Sequence, residues 1–293
     1  MKIVKKLVCL ALCLCLIAGL GVSAFAINAG DARAVIGANL TEEQISSVYS
    51  AFGLTRGSVT ELSVTNDEER QYLDGLVDSS LIGTRSISCV YIEILSEGSG
   101  LQISTSNISW CTQEMYVNAL VTAGIDDAKV IVAAPFAVSG TAALTGIYKA
   151  YEDITGTEIS EEAKLASTQE LVITAELADE IGSYDAVTIV NELKLILDET
   201  VDMTDAELRD EIVSIADDYN VVLSDSEISR LVSLCRSLEG LSDSELKAKV
   251  ESIQKALVSM SNAKDKVTGI VTSIKNFFES VGNFFSNLFG GKK

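Results

Sequence analysis

Two hydrophobic periods alternate along the first half of the chain. After the short apolar run "AVIG", the stretch "LTEEQISSVYSAFG" places Ile45, Val48, Tyr49 and Phe52 at helical spacing behind Thr41, a side chain suited to cap a helix start. "SVTELSV" then alternates imperfectly through Val59, Leu62 and Val64. "TNDEERQYLDGLV" opens a second helix, with Thr65 or Asn66 as cap and acids in the first turn, where the helix dipole favours them. Two β-rich runs follow, Ser86 to Leu95 and Leu101 to Ser109, and read as a hairpin closed around Glu97 to Gly100. Next come a helix between Thr112 and Gly124, a buried strand in "AKVIVAAPF", and a helix from Gly140 to Ile154. From Val59 to Phe136 the order is strand, helix, strand, strand, helix, strand, which is the ferredoxin-like βαββαβ order.

From Ser160 the pattern turns helical. Openings of the capping-box type recur at Thr204, Ser224 and Ser242, each with Glu three residues later. Their spacing suggests successive short helices of a bundle rather than a solenoid repeat. The last segment, "KVTGIVTSIKNFFESVGNFFSNLFGGKK", repeats every seven residues: Ile270, Phe277, Phe284 and Val271, Phe278, Phe285 run beside Val267, Ile274, Val281, Leu288. The fold class is therefore α+β. A mixed α/β domain spans 27–156, an all-α acidic domain 157–262, and an amphipathic Phe-rich helix 263–293.

Charge sharpens this division. Residues 157–262 carry 24 acids against 8 basic residues, whereas 263–293 carries 5 basic and 2 acidic. The whole chain has a net charge of −20, which argues against a nucleic-acid partner, because phosphates need clustered Lys and Arg. Five of the eight phenylalanines follow residue 276. Left bare, that stripe would exceed the apolar patch a soluble monomer tolerates, so something covers it. The candidates are the preceding bundle or a copy of the helix, a protein partner, and a membrane surface approached by Lys264, Lys266, Lys275, Lys292 and Lys293. The contact residues are then Phe277, Phe278, Val281, Phe284, Phe285, Leu288 and Phe289.

The first residues, "MKIVKK", precede an apolar run from Leu7 to Leu20 and the small-x-small pattern Ala24-Phe25-Ala26. This reads as a secretory signal peptide over 1–26, cleaved after Ala26, and so as a secreted or envelope-associated protein. Cys89, Cys111 and Cys235 remain after cleavage. The hairpin register holds Cys89 several positions from Cys111, too far for a disulfide, and all three read as small buried hydrophobes.

Candidate chemistry is sparse. The chain has no histidine, which removes Ser-His-Asp, Cys-His and His-based zinc and iron sites. "VIVAAPFAVSGTAALTGIYKAYEDITG" resembles a phosphate loop only superficially: Gly140 and Gly146 are six apart, and Ile147-Tyr148 stand where lysine and a hydroxyl are needed. Backbone N–H groups of Ser139, Gly140, Thr141 and Ala142 could still hold a small anion. Alternatively, Ser139 or Thr141 caps the helix while Gly140, Ala143 and Gly146 let it lie close to the sheet. Paired carboxylates could hydrolyse a wall polymer without histidine, if two of them share a cleft and one has a raised pKa. No metal or cofactor motif is present; Trp110 is assigned to packing.

The strings "TNDEERQYL", "IGTRSISCVYIEIL", "WCTQEMYVNALVTAGIDDAKVIVAAPFAVSGTAALTGIYKAYE" and "QELVITAELADEIG" resemble the YpuA-like family of secreted proteins from Gram-positive bacteria, built on a domain of unknown function. The resemblance implies an exported envelope protein without assigned catalytic residues. The resulting expectation is a non-catalytic envelope or interaction protein. A wall-polymer hydrolase and a small-anion module at the Gly140 helix start are the alternatives.

Overall fold

The computed structural model describes residues 28–77 and 79–264. Residues 1–27, where a signal peptide is expected, and 265–293, which carry the Phe-rich repeat, lie outside the described residues. Five strands form one mixed sheet: β1 (Ala32–Gly37), β2 (Thr60–Val64), β3 (Cys89–Ile94), β4 (Gln102–Ile108) and β5 (Ala128–Val138), in the order β2-β1-β3-β5-β4. Helices α1 (Glu42–Phe52), α2 (Asn66–Leu73), α4 (Gln113–Thr122) and α5 (Thr141–Thr155) follow β1, β2, β4 and β5, and a single turn α3 (Ser79–Ile82) precedes β3. The α+β class stands.

The strand pairing differs from the ferredoxin-like expectation. β3 and β4 form no hairpin; β5 lies between them, antiparallel to β3 and parallel to β4. β1, the "AVIG" strand that stood outside the expected order, sits inside the sheet between β2 and β3. The reason is burial. β5 is apolar on both faces, with Val130, Val132 and Ala133 fully buried, and such a strand needs neighbours on both sides. β4, by contrast, exposes Gln102 and Ser104 on either side of buried Ile103, and Asn107 beyond them, and suits an edge. The expected turn residues instead carry the chain past β5, with the Gly98 and Gly100 N–H groups donating to the Asp127 carboxylate at 3.1 and 2.7 Å.

α1 packs Ile45, Val48, Tyr49 and Phe52 on the sheet face carrying Ala34, Ile36, Cys89, Tyr91 and Ala133. The opposite face, with Val35, Val90, Ile92, Val130 and Val132, meets α4 and α5. The rest is helical: α6 (Glu161–Ile181), α7 (Ser183–Leu195), the single turn α8 (Leu197–Thr200), α9 (Asp205–Asp218), α10 (Asp225–Leu238) and α11 (Ser244–Lys264). α6 to α10 bury their own cluster around Leu208, Ile212, Leu231 and Leu234. Leu171 and Ala175 of α6, Val187 of α7, and Leu246, Val250 and Ile253 of α11 join the sheet-side core instead. One core thus draws on residues from both sides of residue 156.

Thr41, Thr65, Thr112, Thr204 and Ser224 each close a capping box. Ser242 does not. Asp243 accepts from the Glu245 and Leu246 N–H groups, and Ser242 Oγ donates to Asp198 instead. Cys89, Cys111 and Cys235 are free and buried, although the hairpin register that separated the first two on paper does not exist. Among the described residues, no helix is long and apolar enough to cross a membrane.

Candidate functional site

β1 and β5 both run antiparallel to β3, β2 is parallel to β1, and β4 is parallel to β5. Four strands therefore point the same way, and α1, α2, α4 and α5 all begin along one edge of the sheet. The crevice outside the carboxyl ends of such strands is where open α/β sheets bind ligands. Here it is built at the end of β5. Ladder pairing with β3 stops at Ala133, two residues before Pro135, which has no N–H to donate. The β4 ladder breaks between Ser106 and Ile108, where Asn107 adopts φ 57° and its Nδ2 donates to Ala134 O at 2.8 Å.

The turn itself requires glycine. Gly140 has φ 99°, and a Cβ there would lie 2.5 Å from Ile108 Cγ2 and 2.7 Å from Tyr116 Oη. The Tyr116 hydroxyl donates to Gly140 O at 2.5 Å and locks the turn from α4. Neither Ser139 nor Thr141 caps the helix. Gly140 is the N-cap residue, no side chain bonds to the first-turn N–H groups, and the first turn carries no acid. The two hydroxyls lie 3.4 Å from each other instead. At Gly146 a Cβ would only be in ordinary contact with Val35, at 3.4 Å, so the approach of this helix to the sheet does not demand glycine there.

An open cavity of about 480 Å³ lies over this helix start. Ser139, Gly140, Thr141 and Ala142 all line it, together with Ser88, Ser109, Arg85, Trp110 and Glu69. The Arg85 guanidinium is exposed and donates to Asn39 O at 2.8 Å. Trp110 forms one wall, its Nε1 held by Asp179 of α6 at 2.8 Å. Glu69 is only 1% exposed. Its Oε2 accepts from Asn66 at 3.3 Å, while Oε1 has no partner of hydrogen-bonding geometry. The hydroxyl of Ser86, likewise fully buried, stands beside the carboxyl without completing such a bond. Burial raises the Glu69 carboxyl to about 7, against smaller opposing pulls from Ser86, Asn66 and Arg70.

Sequence reasoning missed Glu69 and Arg85. A signal for the first existed: Glu69 lies four residues before Leu73, so the two share the inward face of α2, and an acid on an apolar stripe is out of place.

A second cleft, of about 400 Å³, contains Asp126, Glu158, Asp243, Glu245 and Lys249. Burial raises the Asp126 pKa there, and Lys249 Nζ lies 2.6 Å from Asp126 Oδ2 and 2.8 Å from Glu245 Oε1. The ammonium occupies the space between the two carboxylates that a glycosidic oxygen or a water would need. Burial pushes all three thiols up to about 12, leaving no reactive thiolate among them.

A family described as "Protein of unknown function (DUF1002)" matches residues 36–260 of the chain. The sequence is 40% identical over 264 residues to a protein of Bacillus subtilis (strain 168) named "Uncharacterized protein YpuA", covering 88% of this chain and 87% of that one. No solved structure matches.

Proposed function

We propose, from the premise that the chain belongs to the DUF1002 family of proteins of unknown function, that it is an exported, envelope-associated, non-catalytic protein that binds a small ligand at the start of α5. The observation that carries this reading is the cavity beside Gly140. An uncapped helix start, a guanidinium and several hydroxyls face one space of a size that holds small molecules. The absence of histidine and the unreactive thiols support a binding rather than a catalytic role. Export is supported by the basic start, apolar run and Ala24-Phe25-Ala26 of the sequence, and envelope contact by the heptad Phe stripe with its flanking lysines.

Binding is tested by incubating the mature chain, 27–293, with an extract of its own cell envelope and weighing the washed protein by native mass spectrometry. A retained small compound is expected, and Ser109→Trp, which fills the cavity from an exposed position, should abolish it. A folded wild-type chain that retains nothing overturns the reading. Envelope contact is tested by flotation with anionic liposomes, which the chain should follow and a form lacking 264–293 should not. A full-length chain that stays at the bottom of the gradient removes the membrane from the proposal.

A further inference from the structure

The cavity at the start of α5 has an uneven balance of donors and acceptors. Its first-turn N–H groups carry the positive end of the helix dipole, and Arg85 adds a full charge. In a chain of net charge −20, the helices that begin with a side-chain cap, α1, α2, α4, α6, α9 and α10, each place at least one acid in the first turn; α5, which has no side-chain cap, places none. Beneath this donor-rich mouth lies Glu69, 1% exposed, with Oε1 unpartnered. A buried polar atom left without a partner is costly, so its retention here calls for an explanation.

We infer that the cavity binds its ligand by an oxyanion seated between Arg85 and the start of α5, above Glu69, and that binding is coupled to a proton on that carboxyl. The inference rests on the binding reading above and specifies its ligand chemistry. A carboxylate or sulfate fits the donors, but two like charges in one small cavity repel. The site therefore accepts the anion when Glu69 is neutral. The other charged groups around Glu69 are already engaged. On α2, Glu68 pairs with Lys149 of α5 at 2.5 Å, and Arg70 pairs with Asp74 at 2.7 Å. From α6, Lys164 is held by Glu152 and Glu161 at 2.8 and 3.0 Å, and α3 carries no charge. Arg85, from the segment before β3, is the cation left for the ligand.

The sign follows from linkage. An anion stabilises the protonated carboxyl, so binding takes up a proton and affinity rises as the pH falls. With the carboxyl titrating near 7, the competent fraction drops from about nine-tenths at pH 6 to about one-tenth at pH 8, so the apparent Kd rises about tenfold.

The experiment uses the mature chain and its one tryptophan, which lines the cavity, as the fluorescent reporter. The probes are N-acetylglycine, inorganic sulfate and the uncharged N-acetylglycinamide, none of which titrates between pH 6 and 8. At least one anion should bind, with a Kd about tenfold lower at pH 6 than at pH 8; which one binds tells a carboxylate ligand from a sulfate-like one. Glu69→Gln should bind at pH 8 as wild type does at pH 6, with the pH dependence gone. Arg85→Gln, a change at an exposed side chain that donates to Asn39 O, should weaken the anion about tenfold at both pH values and keeps the test valid if Glu69→Gln does not fold. Equal binding of amide and acid, or an anion Kd that ignores pH, overturns the inference and leaves the binding reading intact. If no probe binds and no envelope compound is retained either, both fall.

Discussion

Lys194 and Glu170 are each fully buried and lie 2.7 Å apart, Nζ to Oε1. The ammonium also donates to Thr122 Oγ1 at 2.8 Å, and Thr122 donates to the other carboxylate oxygen at 2.5 Å. Asn118 extends the set to Asn191, and Asn191 reaches Gln254. The network stitches α4, α6, α7 and α11 together in surroundings where one orphaned charge is far more costly than an apolar pair of similar volume. Lys194→Met alone should lower unfolding stability in urea by about 3 to 5 kcal/mol, and Lys194→Met with Glu170→Leu should recover most of that loss. A single variant as stable as wild type would show the pair to be solvated. Glu69 makes the opposite kind of contribution. Its folded-state pKa is raised from 4.5 to about 7, so the neutral carboxyl's stabilisation is complete below about pH 4.5 and is lost as the pH rises through 7. Thermal melts should show Glu69→Gln gaining on wild type between pH 5 and pH 8.5, on the order of 3 kcal/mol in total. A constant difference across that range would mean that the carboxyl titrates normally.

At the scale of elements, local signals were most legible where a decision depended on residues within four of one another and no neighbouring side chain competed. The caps at Thr41, Thr112, Thr204 and Ser224 are of this kind, since the Ser or Thr and the residue three positions later bond across one turn. At "LSDSEL" two caps competed. Ser242 with Glu245 satisfied the box pattern, yet Asp243, one residue later, accepts two N–H bonds and starts α11. Asp243→Ala should therefore cost about 1 kcal/mol and Ser242→Ala a few tenths, measured by thermal unfolding. The reverse ranking would restore the box. Strand pairing was not legible by the same means. The run 86–95 and the run 101–109 are separated by a short Gly-bearing turn, which is the local signature of a hairpin. What overrules it is the demand of "VIVAA" for burial on both faces, set by residues some thirty positions away. The Gly140 turn was recognised as unusual from its sequence. Arg85 and Glu69, which make it a cavity, come from segments that only the sheet order brings alongside.

For the whole molecule, the composition shift near residue 157 marks where strands end, and the core does not end with them. Val90, Ile92, Val130 and Val132 of the sheet share one cluster with Leu171, Val187, Leu246, Val250 and Ile253 of the helical part. Polar contacts cross as well. Trp110 donates to Asp179, Lys194 reaches Asn118 and Thr122, and Lys249 of α11 grips Asp126, just before β5. A chain cut at residue 156 would remove Leu171, Ala175, Val187, Leu246, Val250 and Ile253 from the cluster they share with the sheet, and so uncover part of a core that is now buried. It would also strand Asn118 and Thr122 without their lysine. Burying a side chain of the Val or Leu type contributes about 1.5 to 3 kcal/mol, so losing several covers together removes an amount comparable to the 5 to 15 kcal/mol by which a domain is ordinarily stable. The fragment 27–156 should therefore give a collapsed NMR amide spectrum and no cooperative melt. Mixing it with 157–264 should restore both, because the second fragment returns the missing face. A cooperative melt of 27–156 on its own would show two independent units and would confine the candidate site to the first of them.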